Sequence, residues 1–163
     1  MVAPSSQGFA DSATQPRADA RGNSRRAGGK PAARILVVDD EPLVRWSIAE
    51  TLVAAGYDVE EAADDKTALT ILNSHSGPSN AERHRNIDVV LLDVRLPDAD
   101  GLGLLAAMRA AAPSVPIALM TAFGTTELSQ SATRLGAFTV LDKPFDMADV
   151  LRLVGRAVES QPH

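Results

Sequence analysis

The chain has 163 residues, no cysteine and a formal net charge of −5, which leaves room for one domain of the usual roughly 100–200 residues and excludes disulfides, zinc knuckles and thiolate catalysis. Residues 1 to 33 hold Arg17, Arg21, Arg25, Arg26 and Lys30 against Asp11 and Asp19, a balance of +3, so the rest of the chain carries −8, a poor surface for direct nucleic-acid binding. The opening Met-Val-Ala-Pro-Ser-Ser-Gln-Gly lacks the basic and apolar regions of a signal peptide and no apolar run approaches the ~20 residues that span a bilayer, so a cytoplasmic protein without membrane insertion is expected.

Residues 1 to about 33 lack apolar periodicity and hold Pro4, Pro16, Pro31, Gly8, Gly22, Gly28 and Gly29, the composition of a disordered basic tail. Within it, Gly28-Gly29-Lys30 is not a phosphate-binding loop, because Ser24 stands where that motif needs glycine and Pro31 where it needs Ser or Thr. From Arg34 onward, short aliphatic runs alternate with segments of helical period, the pattern of βα units on a parallel sheet. The expected strands are Ile35 to Val38, Tyr57 to Glu61, Ile87 to Leu92, Pro116 to Met120 and Phe138 to Leu141. A first helix opens at Pro42, places Leu43, Ile48, Leu52 and Val53 roughly on one face and stops at Gly56. A second covers Asp65 to Ser74, and a third runs from Gly101 or Leu102 to Ala112 with a core stripe of Leu102, Leu105, Ala106 and Met108 to Ala112. A fourth runs from Thr125 to Leu135 and a fifth from Asp146 to about Ser160. The polar stretch from His75 to Asn86 is long for such a connection, and an exposed, mobile insertion is expected. The domain is placed at 34–160, with 161–163 as its C-terminal end.

In a parallel sheet the carboxyl ends of all strands lie on one rim, where ligands bind beside the reversal of strand order. The first strand runs into Asp39-Asp40-Glu41, the third into Asp93, the fourth into Thr121, and the fifth is followed by Lys143-Pro144. With strand order 2-1-3-4-5 these ends are neighbours. Clustered aspartates repel one another, so they hold a cation or raise the pKa of a member, and an oxygen-only donor set favours a hard ion such as Mg²⁺. Flanked by Lys and Thr, such a site suits a phosphoryl group, and a carboxylate within it can become an aspartyl phosphate.

Through Ile35-Leu36-Val37-Val38-Asp39-Asp40-Glu41, Leu91-Leu92-Asp93-Val94-Arg95-Leu96-Pro97 with Asp100-Gly101, Met120-Thr121-Ala122 and Leu141-Asp142-Lys143-Pro144-Phe145, residues 34 to 160 resemble the receiver domain of bacterial two-component response regulators. The resemblance implies a flavodoxin-like (βα)5 doubly wound sheet. It makes Asp93 the phosphoacceptor and Asp39 and Asp40 the acidic pair that holds Mg²⁺, with Asp93 and the Arg95 backbone carbonyl completing the metal shell. Thr121 becomes the hydroxyl that turns toward the phosphoryl group, Lys143 the ammonium that pairs with it, and Lys143-Pro144 a candidate cis bond. The implied partners are a histidine kinase or histidine phosphotransfer protein, and a downstream protein or second copy on the face of the fourth helix, fifth strand and fifth helix. The activity is signalling, with only self-catalysed phosphotransfer and dephosphorylation. Arg45-Trp46 and the phrase from Gly136 to Asp146 are most similar to receivers of the nitrogen-regulatory type. Those usually continue into ATPase and DNA-binding domains, whereas this chain stops after its fifth helix, so a receiver standing alone is expected. In one departure, Val140 stands three residues before the lysine, where receivers commonly carry Tyr or Phe.

Taken singly, the residues have plainer explanations: Asp39, Asp40 or Glu41 could cap the first helix, Thr121 could be a turn residue and Lys143 a solvated charge. Their joint placement on one rim is what those explanations leave out. A phosphatase of the haloacid dehalogenase type also uses a strand-end aspartate, Mg²⁺, Thr and Lys, but needs an acid two residues after its nucleophile, where Arg95 stands. A pseudo-receiver would lack part of the set, a flavin carrier would not place Asp-Asp-Glu beside a phosphate, and a phosphate sink without output is the remaining alternative. His75, His84 and His163 are expected to be solvated, and Trp46 to be partly exposed and to serve packing.

Overall fold

The computed structural model describes residues 32–74, 86–96 and 99–161, which belong to one compact unit, Pro31–His163. In chain order the elements are β1 (Arg34–Val38), α1 (Pro42–Ala54), β2 (Asp58–Ala62), α2 (Asp65–Ser74), β3 (Val89–Asp93), β4 (Arg95–Leu96), β5 (Ala99–Asp100), α3 (Gly101–Ala111), β6 (Ile117–Thr121), α4 (Thr126–Arg134), β7 (Thr139–Asp142) and α5 (Met147–Glu159). The five longer strands form one parallel sheet in the order β2-β1-β3-β6-β7, which is the expected 2-1-3-4-5 arrangement. The expected tail as far as residue 31, the stretch 75–85 with His75 and His84, and Pro97 and His163 lie outside the described residues.

Alternation along the strands divides the core between the two faces of the sheet. Ile35, Val37, Val89, Leu91, Ala118 and Met120 pack with Ile48 and Leu52 of α1 and with Val150, Leu153 and Val154 of α5. Their neighbours Leu36, Val38, Val90, Leu92, Ile117 and Leu119 pack with Leu72 of α2, Leu104, Leu105 and Met108 of α3 and Ala132 of α4. Burial on both faces explains why β1, β3 and β6 read as almost unbroken aliphatic runs. Gly56 and Gly136 adopt φ of +94° and +85° just beyond α1 and α4, the left-handed step that ends a helix and favours glycine.

Three details differ from the sequence reading. On α1 the inward residues are Ile48, Ala49 and Leu52, whereas Leu43 and Val53 are 79% and 54% exposed. At about 100° per residue, Leu43 lies about 140° around the helix from Ile48 and Val53 about 100° from Leu52. On α3, Leu104 is buried and Ala106 and Ala110 are exposed. The third is the antiparallel pair β4–β5, with Arg95 opposite Asp100 and Leu96 opposite Ala99. Two-residue strands leave too little alternation to be read from sequence.

Candidate functional site

Ladder pairing carries the strands one residue further than their apolar runs. Asp93 pairs with Met120, and Thr121 with Asp142, so both site residues are the last members of buried strands. Asp39 follows β1 directly, held by its N–H donating to the Ala62 carbonyl (3.1 Å). The sheet thereby fixes Asp39, Asp93 and Thr121, which are 0%, 4% and 3% exposed and form the whole set of buried polar side chains among the described residues.

Lys143 connects them. Its Nζ lies 3.0 Å from Asp39 Oδ2 and 3.4 Å from Asp93 Oδ2, and its backbone N–H donates to the Thr121 carbonyl at 2.6 Å. The Lys143–Pro144 peptide bond is cis. The second oxygens of both aspartates are also engaged, since the Glu41 N–H donates to Asp39 Oδ1 (2.8 Å) and the Arg95 N–H to Asp93 Oδ1 (3.1 Å). The helix-capping explanation of the acidic triplet does not hold, because the N-cap residue Glu41 makes no side-chain cap hydrogen bond and Asp39 only closes a turn onto the Glu41 N–H. Thr121 Oγ1 accepts from the Phe123 N–H at 3.2 Å.

Burial pushes the Asp93 carboxyl upward, against the Arg95 N–H and the Lys143 charge, which pull it down, and the nearby Asp39 charge adds to the rise. For Lys143, burial pulls down, but the hydrogen bond and charge of Asp39, followed by those of Asp93, outweigh it and raise the ammonium above its ordinary value. Carboxylate oxygens of Asp39, Asp40 and Asp93 lie within 4.8 Å of one another. Three oxygen donors converging without nitrogen or sulfur suit a hard divalent cation such as Mg²⁺.

Further contacts surround the site, those of Arg45 and Gly124 unforeseen in the sequence. The Arg45 guanidinium donates from Nη1 to the Asp39 carbonyl (2.7 Å) and from Nε to Glu61 Oε2 (3.1 Å), although nothing in the sequence pairs residues 45 and 61. Arg95 lies over the Phe123 ring, 4.7 Å from its centroid, where the chain leaves β3 and β6. Gly124 packs so closely on the Asp142 carboxylate that a Cβ there would overlap it, so the β6–α4 loop rests against the end of β7.

Comparison with known proteins agrees with this architecture. A profile of the family described as response regulator receiver domain matches residues 35–155. The regulatory protein AtoC of Escherichia coli is 37% identical over 128 residues, covering 78% of this chain and 26% of that protein. The DNA-binding transcriptional regulator NtrC of Salmonella typhimurium is 34% identical over 124 residues, 76% of this chain and 24% of that protein. The chain thus spans about a quarter of the length of these relatives. Among solved structures, the receiver domain of NtrX from Brucella abortus superposes with a TM-score of 0.68 at 31% identity, covering 78% of this chain and 99% of that one. A CheY-like receiver from Methanospirillum hungatei gives 0.71 at 26% identity, covering 80% and 96%.

Proposed function

The chain belongs to the response regulator receiver domain family of two-component signalling, and on that premise we propose that Asp93 is its phosphoacceptor, served by Lys143, Thr121 and a Mg²⁺ ion. The observation that carries this reading is the Lys143 ammonium bridging the carboxylates of Asp39 and Asp93 at adjacent strand ends. The proposed donor is the phosphohistidine of a kinase or phosphotransfer protein.

Asp39, Asp40 and Asp93 with the Arg95 carbonyl would hold the ion. Bound there, it supplies charge against the carboxylates and the phosphoryl oxygens. An Asp93 carboxylate oxygen forms a bond to phosphorus as the phosphorus–nitrogen bond of the donor breaks, and the electron pair leaves on the imidazole nitrogen. Lys143 already lies beside Asp93 and pairs with an oxygen of the transferred group. The Thr121 hydroxyl accepts from Phe123 N–H and still has its own proton to donate, so it turns to the phosphoryl group without losing a donor role. The conformational relay proposed for output runs from Thr121 through the β6–α4 loop to α4, β7 and α5, which offer their outer face to a downstream protein or a second copy. Among the described residues no helix is long and apolar enough to cross a membrane. The family assignment does not favour the phosphatase alternative.

The test is incubation with Mg²⁺ and a small phosphodonor, followed by intact-mass measurement. A base-labile, acid-stable adduct of about 80 Da, one phosphoryl group, is expected on wild type and absent from Asp93→Asn. An adduct on both, or on neither, rejects Asp93 as acceptor. Asp40→Ala is expected to abolish both Mg²⁺ binding and transfer, and undiminished transfer would remove Asp40 from the metal site.

A further inference from the structure

We infer that Arg45, with Glu61 as its anchor, is a positioning residue that presets the acidic loop after β1 for its cation; the inference rests on the Mg²⁺ site proposed above. The loop must place the Asp39 and Asp40 carboxylates against Asp93 although like charges drive them apart. Of these two, Asp39 alone is restrained by side-chain contacts among the described residues, through Glu41 N–H and Lys143. Arg45 acts on the main chain instead. Its Nη1 donates to the Asp39 carbonyl at 2.7 Å, on the peptide unit that joins Asp39 to Asp40, so it fixes the direction in which Asp40 leaves the strand. Its Nε pairs with Glu61 Oε2 at 3.1 Å.

Glu61 lies on β2, whose register with β1 sets Glu61 opposite Val37, two residues before Asp39. The guanidinium is therefore braced on the neighbouring strand, and α1, β1 and β2 meet at the loop. The same pair solves an electrostatic problem. An unpaired guanidinium beside three carboxylates would compete with a divalent cation for them, whereas Glu61 holds its charge to the side. Arginine suits the task because its planar fork can address two acceptors in fixed directions.

Because Arg45→Met and Glu61→Gln remove one charge of each sign, the double variant leaves local net charge unchanged, and its effect reports geometry rather than attraction. Calorimetric titration with Mg²⁺ should find its affinity weakened on the order of 10-fold, in the range typical of groups that orient metal ligands. Circular dichroism should be native-like, and amide exchange should quicken at residues 39–41. Phosphorylation should need more Mg²⁺ to reach half-saturation while attaining the wild-type plateau rate. Arg45→Lys keeps the charge but not the fork, and should fall between wild type and the double variant, which keeps the proposal testable if the double variant folds poorly. Wild-type Mg²⁺ affinity in either variant overturns the positioning role. If wild type itself binds no Mg²⁺, the metal site falls and this proposal with it.

Discussion

Since burial sets the direction of the Asp93 shift, ionising this carboxyl costs the folded state free energy that the unfolded chain does not lose. With the folded pKa above the unfolded one, the stability contribution is present at low pH and lost as pH rises through the folded value. In the absence of divalent ions, Asp93→Asn should therefore melt higher than wild type near pH 7. The gap should close toward about pH 4, as wild type takes up its proton. Lys143 keeps its shorter contact to Asp39 in that variant, so the lost pair is not a large offset. Equal or lower melting of Asp93→Asn near neutrality would show that the Lys143 contact outweighs burial. Arg95 and the 66% exposed Phe123, two residues beyond Asp93 and Thr121, stack on one another. Exposed contacts of this kind are worth about 0.5–1 kcal/mol, so Phe123→Ala should shift a covered-to-open balance by roughly 2–5-fold and shorten the life of the phosphorylated protein accordingly. Decay measured by loss of radiolabel checks this, and an unchanged rate would mean that the stack does not shield the bond from water.

Among the helices, α4 is the least anchored. It has nine residues, of which only Ala132 is buried, and its first turn is capped by Thr125 Oγ1 accepting from Leu128 N–H. The loop before it, Ala122 to Thr125, is exposed throughout. A valine at 140 has one favoured rotamer and no polar tip, and here it is half-buried against the face of the sheet that carries α4. Coupling should therefore pass through backbone displacement. Amide exchange with and without a bound phosphoryl mimic should differ over residues 121–136, and Val140→Tyr should alter the balance between states. Differences confined to the metal pocket would indicate a phosphate sink. The strands were legible because aliphatic runs end in Asp39, Asp93 and Thr121, and helices because Pro42, Gly56 and Gly136 mark their limits. The contact of Arg45 with Glu61 was not, because it joins residues brought together only by the sheet and its loops. The misplacement of Leu43 has a similar origin: a helix packed on a sheet buries a narrow stripe, which hydrophobicity alone does not pick out.

For the molecule as a whole, the two core layers on the sheet are built, among the described residues, from Ala33 onward. A variant starting at Pro31 should fold, melt as the full chain does and accept phosphate at the same rate. Loss of either property would give the basic N-terminal segment a structural role, and a difference that vanishes at high salt would point to its +3 charge acting on the acidic body.

Asp39 and Lys143 meet across 104 positions of sequence, one just after the first strand to be synthesised and the other just after the last. A chain leaving the ribosome therefore has Asp39 and the proposed acceptor Asp93 before it has the lysine that faces them both. Until β7 docks beside β6, a partly made copy lacks the Lys143 contact to both aspartates. On the function proposed above, completion of the sheet is then a quality check on the signal, since the chain becomes competent to be phosphorylated only as its last strand takes its place.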